Sequence, residues 1–593
     1  MIVAMKKVFL FLQKSHAPED LHDLASLGLL HVEHQSPPSG EEINVLNEKI
    51  GLFEQAILIS SAAKAGHSLA LPPPKDLIAV CRHLVDLQKR LDQLKEYAVT
   101  LNALIDQWAP WGDFDPQEIR KLTQNNLHVK LYQIPRGHLE NLGPGIIVKK
   151  ISSSGSLDNC LLISRQNIQV EFKELELPRM SLSQMRQRLD EDTRTCPDLK
   201  KQIEDYSIYL DDLVAEKSSL IYQKSFFETL SGMGQAEKLV YLKGYVPVDA
   251  EETLVNGAKK RGWGILTVLP DEVDEVPTLL RNPVWISFIK PLLDLLELIP
   301  GYRELDISPL FIVFFSIFFG MLIGDAGYGL VYLLINFWLH KKFGGKIKDQ
   351  SVFFLFYILS FCAMIWGLLT GTFFGQEWLL KIGIKPLVPA LANTAFIQKF
   401  CFFLGALHLS LAHGWRMALK APALVALAEL GWICIIWAAF FLAKSLILSE
   451  SFPAFGNYLI IAGLVLVLFF TNPQKNILKT IGAGLGTIAL SLVNNFTDVV
   501  SYIRLFAVGL AGVAIADAFN TMAGGIVKKG DFFTLIIAAM VVVFGHTLNI
   551  ILGPMSILVH GVRLNVLEFC GHLGVTWSGF AYKPFAKEVK SSK

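Results

Sequence analysis

The stretch Asn494–Gly512, NNFTDVVSYIRLFAVGLAG, decides how the rest of the chain is read. It sets a guanidinium, Arg504, inside a segment otherwise apolar enough to lie in lipid. A charge at mid-bilayer costs roughly 2.5–3.5 kcal/mol on insertion scales, so such a residue normally faces a wet cavity or a partner. Asn494, Asp498 and Ser501 precede Arg504 at helical spacings, and at about 100° per residue the four share one broad face. A second stretch, Gly545–Glu568, carries His546, Asn549, Gly553, Ser556, His560 and Arg563. These alternate three and four apart, the rhythm of a helix packed along a neighbour. Alone, an arginine near a helix end snorkels to the headgroups, and a polar stripe glues helices together. Asp498 close to Arg504, and a second stripe downstream, favour a path for an ion instead.

The composition divides in the same way. Of 593 residues, 52% are hydrophobic and only 18% charged, and the mean hydropathy is +0.42. Nearly all the long apolar runs come after Pro309, while the first half is mixed and charged. A net charge of +1 gives no electrostatic case for nucleic acid. Seven cysteines show no CxxC or metal spacing, and no metal site is expected. The apolar run in MIVAMKKVFLFLQKSH is too short for a signal-peptide core and reads as a first strand. The first half is therefore expected to stay in the cytoplasm. It holds no GxxxxGK[ST] loop, no Rossmann glycine spacing and no Ser/His/Asp or paired-carboxylate constellation. Neither a catalytic residue nor a cofactor is expected, and the chain reads as no enzyme.

Within that half, Lys6–Gln13 reads as a strand, Ala17–Leu27 as a helix stopped by Gly28, and Leu29–Glu33 as a second strand. A heptad stripe follows at Ile43, Leu46, Ile50, Phe53 and Ile57. After Pro72–Pro74 another runs through Leu84, Leu87, Leu91, Leu94, Ala98, Leu101 and Ile105, which predicts coiled coil. IIVKK, NCLLIS and IQVEF, between Val129 and Phe172, read as strands separated by turns at Gly143-Pro144-Gly145 and Ser152–Ser156. Helix resumes at Ser181, with a seam of Leu199, Ile203, Tyr206, Leu210 and Leu213. A second strand–helix–strand unit, over Lys238–Tyr245, Val248–Arg261 and Gly264–Leu269, is expected beside the first. The pattern suggests an antiparallel rod with a distal globular head at about 115–178.

In the second half the apolar segments are 309–339, 352–374, 396–419, 422–447, 456–472, 478–527 and 532–570. The basic run KKFGGKIK at 341–348 belongs on the cytoplasmic side. Segment 309–339 is therefore expected to enter and return as two short helices, broken at Gly324-Asp325-Ala326-Gly327, where Asp325 needs a polar partner. The count comes to eight spans, the last two long, with both termini cytoplasmic; only Lys528-Lys529 falls on the wrong side. The GLG at 484–486 and the small-residue spacings at Gly320/Gly324 and Gly367/Gly371/Gly375 read as helix packing. His408 and His413, five apart, read as hydrogen-bonded histidines, and Glu429 as an accessory or helix-pairing carboxylate.

PTLLRNP (277–283), FFGMLIGDAGYGL (318–330), GLLTGTFFG (367–375), SYIRLFAVGLAG (501–512) and HGVRLNVLEFCG (560–571) complete the picture. With them the whole chain resembles subunit I, also called subunit a, of the V-type and A-type rotary ATPases and ATP synthases. The resemblance implies a mainly α membrane protein in two parts. A cytoplasmic α+β and coiled-coil stalk domain would cover 1–300, and an eight-helix transmembrane ion-translocation domain with two long tilted helices 301–593. It implies a static, non-catalytic subunit in the cell membrane that provides ion half-channels and links to the peripheral stalk. Proton or sodium movement would thereby be coupled to ATP chemistry elsewhere in the complex. The implied partners are proteolipid ring subunits, peripheral stalk subunits, a central-stalk socket subunit and the lipid bilayer.

Carried over by residue, Arg504 matches the arginine that faces the ring's ion-binding carboxylate, Arg563 the second family arginine, and Asn494 a polar residue lining the path. Asp498, Ser501, His546, Asn549, Ser556, His560 and Glu568 complete the expected path from the two stripes. Some members carry a glutamate where this sequence has Gly553, and another where it has Leu490. An independent transporter with a regulatory rod would show internal inverted repeats, and none is seen. A membrane-anchored tether would need neither Arg504 nor the 546–563 stripe.

Overall fold

The computed structural model describes residues 1–63, 76–136, 145–154, 156–166, 170–345, 347, 349–376, 388–471, 488, 491–527 and 531–587. Pro72–Pro74, Gly143-Pro144, the GLG at 484–486, Leu490 and Lys528-Lys529 lie outside them. The chain divides into two compact units.

One unit comprises Val8–Gly244, Thr253–Leu266 and Pro584–Lys593. The elements lying wholly or mostly within it run β1 (Met5–Gln13), α1 (Ala17–Leu27), β2 (His31–Glu33), α2 (Glu41–Ala62), α3 (Leu77–Trp108), α4 (Pro116–Gln124), β3 (His128–Pro135), β4 (Ile147–Ser154) and β5 (Leu157–Ser164). They continue through β6 (Lys173–Leu175), α5 (Leu182–Tyr206), α6 (Leu210–Ser231), β7 (Gly234–Ala236), β8 (Leu239–Pro247), α7 (Glu251–Arg261) and β9 (Gly264–Val268). Gly28 ends α1 in the left-handed region, at φ +62°, where a Cβ would be strained.

The two strand–helix–strand units interlock instead of lying side by side: the sheet order is β2-β8-β1-β9, with β7 on β8. The reason is width. A helix about 10 Å across covers about two strand spacings of 4.8 Å, so each crossover leaves a slot one strand wide. Each unit fills the other's slot, the split βαβ order of ferredoxin-like sheets.

The heptad residues bury as a four-helix layer, with α3 against α5 and α2 against both α3 and α6. Phe53, Leu84, Leu87, Leu91, Leu199, Ile203 and Leu213 are buried in one cluster, with Leu94 at its edge. Side-chain caps start these helices: Asp76 accepts from the Ile78 amide on α3, and Ser181 with Gln184 forms a capping box on α5.

A second sheet has the order β4-β5-β3-β6. IIVKK and NCLLIS lie largely in β4 and β5, paired antiparallel. The expected strand at IQVEF is not one over its described residues. Val170 and Phe172 pack on Tyr132, Ile134, Cys160 and Leu162 as loop residues, and the strand is β6, where Leu175 pairs with Leu131. Local β-propensity marked the apolar residues, but the free edge of β3 captured the next three residues instead.

The other unit comprises Met1–Lys7, Tyr245–Glu252 and Thr267–Lys583. After the short α8 (Val284–Ser287) and α9 (Lys290–Leu295) come α10 (Ser308–Ile323), α11 (Ala326–Phe343), α12 (Ser351–Thr370), α13 (Thr394–Lys420), α14 (Ala426–Leu448) and α15 (Ala454–Phe470). Two long helices follow, α16 (Ser491–Val527) and α17 (Phe532–Leu573). By length and composition, five helices can cross a membrane among the described residues, or six if the bent pair α10–α11 is one span. The expectation of eight spans is not reached on that measure, because α10 and α11 form a bent pair and α15, at 17 residues, is shorter than the roughly 20 that a straight span needs.

The α10–α11 pair is bent by 119°, and the break falls at the expected glycine-aspartate step. Gly324 adopts φ +66°. Asp325 caps α11, its Oδ1 accepting from the amides of Gly327, Tyr328 and Phe374 and its Oδ2 from Gly375. This fully buried carboxylate is held by four backbone donors, the polar partner that the sequence demanded.

Helix α16 has 37 residues, about 55 Å at 1.5 Å per residue, against a hydrocarbon core of about 30 Å. It packs along α17 and against α10. Gly509 permits the latter approach, since a Cβ there would run into the Met321 carbonyl.

Candidate functional site

The polar residues of α16 and α17 meet at Glu568. Its Oε1 takes Arg504 Nη2 at 2.9 Å, Ser501 Oγ at 3.3 Å and Arg563 Nε at 3.4 Å. Arg504 is pinned a second time, through Nε to the Ser501 carbonyl at 3.0 Å. The Glu568 side chain is 4% exposed, against 24% for Arg504 and 53% for Arg563. A buried carboxylate is tolerable only when paired, and here two guanidiniums share it, leaving one net positive charge at the surface of α16 and α17.

The local conformation of α17 explains why Arg563 and Glu568, five residues apart, can touch. Pro554 removes an amide from the helical ladder, and the helix then widens into π turns at Ile557–Gly561 and Leu564–Phe569. Bonds from i to i+5 bring residues five apart onto one face. The three-and-four stripe read from the sequence assumes ordinary α geometry and so does not foresee this pair.

Further along, the stripe faces other partners. His546 Nδ1 lies 2.7 Å from Tyr328 Oη and its Nε2 3.1 Å from Asn520 Oδ1. Asn549 Nδ2 donates to the Gly512 carbonyl at 2.8 Å. Both residues tie α17 to its neighbours and lie apart from the arginine pair. At Gly553 a Cβ would come 2.7 Å from Tyr332 Oη, which donates to the Ile550 carbonyl at 2.9 Å. Ser556 and His560 are half-buried on the α17 surface between these groups.

The N-terminal part of α16 opens a second cluster. Asp498 Oδ2 is 3.0 Å from His572 Nε2, and exposed Asn494 lines a cavity of about 330 Å³ with Asp498, His572 and Arg416. Glu429 pairs α14 with α13, as expected, through His413, Arg416 and Lys420. The two α13 histidines go to different partners. His408 Nδ1 meets Tyr502 Oη at 2.8 Å, and its ring is stacked between Phe314 and Phe569. His413 joins Glu429 and His572. Sequence reasoning missed His572 and Arg416 as members of this cluster. The sole sequence signal was that each is a polar group at the end of an apolar run.

No family model matches the chain. It is 31% identical to the V-type ATP synthase subunit I of Borreliella burgdorferi, over 100% of both chains. The chain belongs to the V-type/A-type ATP synthase subunit I family. A V-type ATP synthase subunit I 1 of Treponema pallidum is 30% identical over 99% of this chain and 100% of its own length. The A-type ATP synthase subunit I of Pyrococcus abyssi is 27% identical over 66% of this chain and 62% of its own. Among solved structures, the cytoplasmic N-terminal domain of subunit I, homolog of subunit a, of V-ATPase aligns along 44% of this chain and 100% of its own at 16% identity. Its TM-score of 0.22 is too low to carry a structural argument. In this member of the subunit I family, the Tyr332 hydroxyl occupies the space that a side chain at position 553 would need.

Proposed function

We propose that the chain is the static, non-catalytic membrane subunit of a rotary V/A-type ATPase, and that α16 and α17 line ion half-channels beside the proteolipid ring. Residues 1–300 form its cytoplasmic stalk domain and 301–593 its translocation domain in the cell membrane. Both termini are cytoplasmic, and eight helical crossings include the α10–α11 hairpin. The stalk domain links to the peripheral stalk and the central-stalk socket subunit. ATP is handled by other subunits.

The observation that carries this reading is the net positive pair of Arg504 and Arg563 on Glu568, set on two long apolar helices of a subunit I chain. A carboxylate on a passing ring subunit, brought within about 4 Å of Arg504 at an effective dielectric near 20, gains about 4 kcal/mol in its ionised form. That depresses its pKa by about three units, enough to force release of a bound proton or sodium ion. The fixed cation also bars a direct leak between the half-channels. The path residues are Arg504, Arg563, Asn494, Asp498, Ser501, His546, Asn549, Ser556, His560 and Glu568.

The test is ATP-driven ion uptake by vesicles carrying the assembled complex with Arg504→Ala, with assembly checked by co-purification. Loss of uptake in an intact complex supports the reading; unchanged uptake overturns it.

A further inference from the structure

His408 on α13 is fully buried and plays no part in the ion path described above. Its imidazole is covered on both faces, with ring centroids 3.8 Å from Phe314 on α10 and 4.3 Å from Phe569 on α17. Held in this way the imidazole keeps one orientation, and its Nδ1 lies 2.8 Å from Tyr502 Oη on α16. Three helices therefore meet at a single α13 side chain.

Tyr502 is itself fully buried. Gly405, one turn before His408, makes room for it: a Cβ there would come 2.7 Å from the tyrosine side chain. A buried phenol needs a hydrogen-bond partner, and His408 supplies one from the same side of α13. Residues three apart share a helix face, so Gly405 and His408 form one socket.

The socket receives an irregular turn of α16. The Tyr502 amide bonds back to the Val499 carbonyl and the Leu505 amide to the Tyr502 carbonyl, each spanning three residues. Inside a helix such tightening marks a hinge or a strained sequence. Arg504 follows Tyr502 by two residues, about 200° around the helix. A phenol drawn into α13 therefore turns the guanidinium to the opposite side. There Arg504 Nε meets the Ser501 carbonyl at 3.0 Å and Nη2 meets Glu568 Oε1 at 2.9 Å. Phe569, on one face of the imidazole, is the residue after Glu568. One buried imidazole thus stands beside both partners of that ion pair.

We propose that His408 is a positioning residue for ion translocation, setting the direction of Arg504 through its hydrogen bond to Tyr502. The inference rests on the rotary-subunit reading, in which Arg504 meets a carboxylate of the proteolipid ring. His408 touches neither the ion nor that carboxylate; it acts by removing freedom from the turn that carries the guanidinium. The attraction between two charges falls as their separation grows, so a guanidinium that swings out of line loses its hold while the complex stays intact. A space-filling role for His408 requires only that the slot between Phe314 and Phe569 be occupied. The positioning role requires the bond from Nδ1 to the Tyr502 hydroxyl.

The two roles rank substitutions in opposite orders. ATP-driven uptake by vesicles carrying the complete complex, followed with a pH-sensitive dye and radiolabelled sodium, reads the ranking. Each rate is normalised to the complex recovered by co-purification. His408→Phe keeps the volume and the stack and loses the bond, and uptake falls roughly 10- to 100-fold. His408→Asn sets a polar atom where Nδ1 stands and gives up the stack, yet retains most of the uptake. Tyr502→Phe removes one oxygen and matches His408→Phe, and the double variant is no worse than either, since both remove the same bond. A mild His408→Phe beside a severe His408→Asn assigns the imidazole to packing and overturns the proposal. Equal severity of those two, wild-type uptake in Tyr502→Phe, or an additive double variant overturns it as well. Should His408→Phe fail to assemble, Tyr502→Phe decides: a fall in uptake upholds the proposal and wild-type uptake overturns it. Arg504→Ala is assayed alongside. If it is inactive while His408→Phe and Tyr502→Phe transport normally, only the positioning role fails; if Arg504→Ala itself transports normally, the subunit reading fails and takes this inference with it.

Discussion

Arg504 on α16 and Arg563 on α17 close on the same oxygen, Oε1 of Glu568, at 2.9 and 3.4 Å. The buried carboxylate acts as a clamp between the two long helices, setting the direction of both guanidiniums from behind. Glu568→Gln leaves two cations facing each other across a neutral amide. Removing one partner of a buried pair typically costs 3–5 kcal/mol. With Arg504 and Arg563 partly exposed, the loss should be about 3 kcal/mol, read as a lowered melting temperature of the detergent-solubilised chain. Transport should fall with it.

Asp325 gives a contrasting case. Its carboxylate accepts four backbone amides and, among the described residues, pairs with no cation. Asp325→Ala orphans those donors at about 1–3 kcal/mol each and should abolish recovery of folded protein. Asp325→Asn, which keeps one acceptor oxygen, should be recovered in reduced yield. Equal yields of the two variants would mean that the α10–α11 break does not depend on this cap.

Space at Gly553 is taken by the Tyr332 hydroxyl. Gly553→Glu should therefore destabilise by about 1–3 kcal/mol through overpacking, and Tyr332→Ala in the same chain should recover part of that loss. A double-mutant cycle on melting temperature measures the coupling; additive effects would dismiss the contact.

In the heptad layer, Leu87 is 7% exposed, while Leu94 is only half-buried. Leu87→Asp should cost about 3 kcal/mol or more, from lost packing and a buried charge, and Leu94→Asp distinctly less. Chemical denaturation followed by circular dichroism, together with complex recovery, orders the two.

In the second sheet Asp158 accepts from Lys150 Nζ at 2.9 Å and Ser153 Oγ at 2.7 Å, with Arg136 at 3.6 Å. The Lys150 hydrogen bond, then that of Ser153, holds its pKa below the ordinary 3.8. A depressed folded pKa means that the stabilisation is fully present above pH of about 4 and is lost as pH falls through the lower folded value. Hydrogen exchange across β4 and β5 should accelerate on acidification in that window, and Asp158→Asn should flatten the response.

Much of this molecule was legible one segment at a time. Helix α1 and its Gly28 stop, the heptad seams and the break at Gly324-Asp325 are local patterns of hydropathy, period and backbone permission. Of the residues in the stripes on α16 and α17, Arg504, Ser501 and Arg563 converge on Glu568, while His546, Asn549 and Asp498 meet other partners. Other features were not legible. IQVEF looked like a strand, yet the edge of β3 pairs with the residues after it. The two strand–helix–strand units interlock because of helix width, which no single unit reveals. Arg563 reaches Glu568 through π turns that ordinary helical spacing does not predict.

By itself, the sequence determined where lipid-compatible helices run, where they break and which of their faces carry charge, because these depend on neighbours within a few turns. Only the tertiary structure decided which charges meet. Arg504 and Glu568 are 64 residues apart, and His413 and His572 are 159 apart. Their contact depends on the azimuth of each helix, set by glycine approaches such as Gly509 on Met321 and by the widened turns of α17. A guanidinium or an imidazole in an apolar helix must find a partner, but which partner it finds is a property of packing.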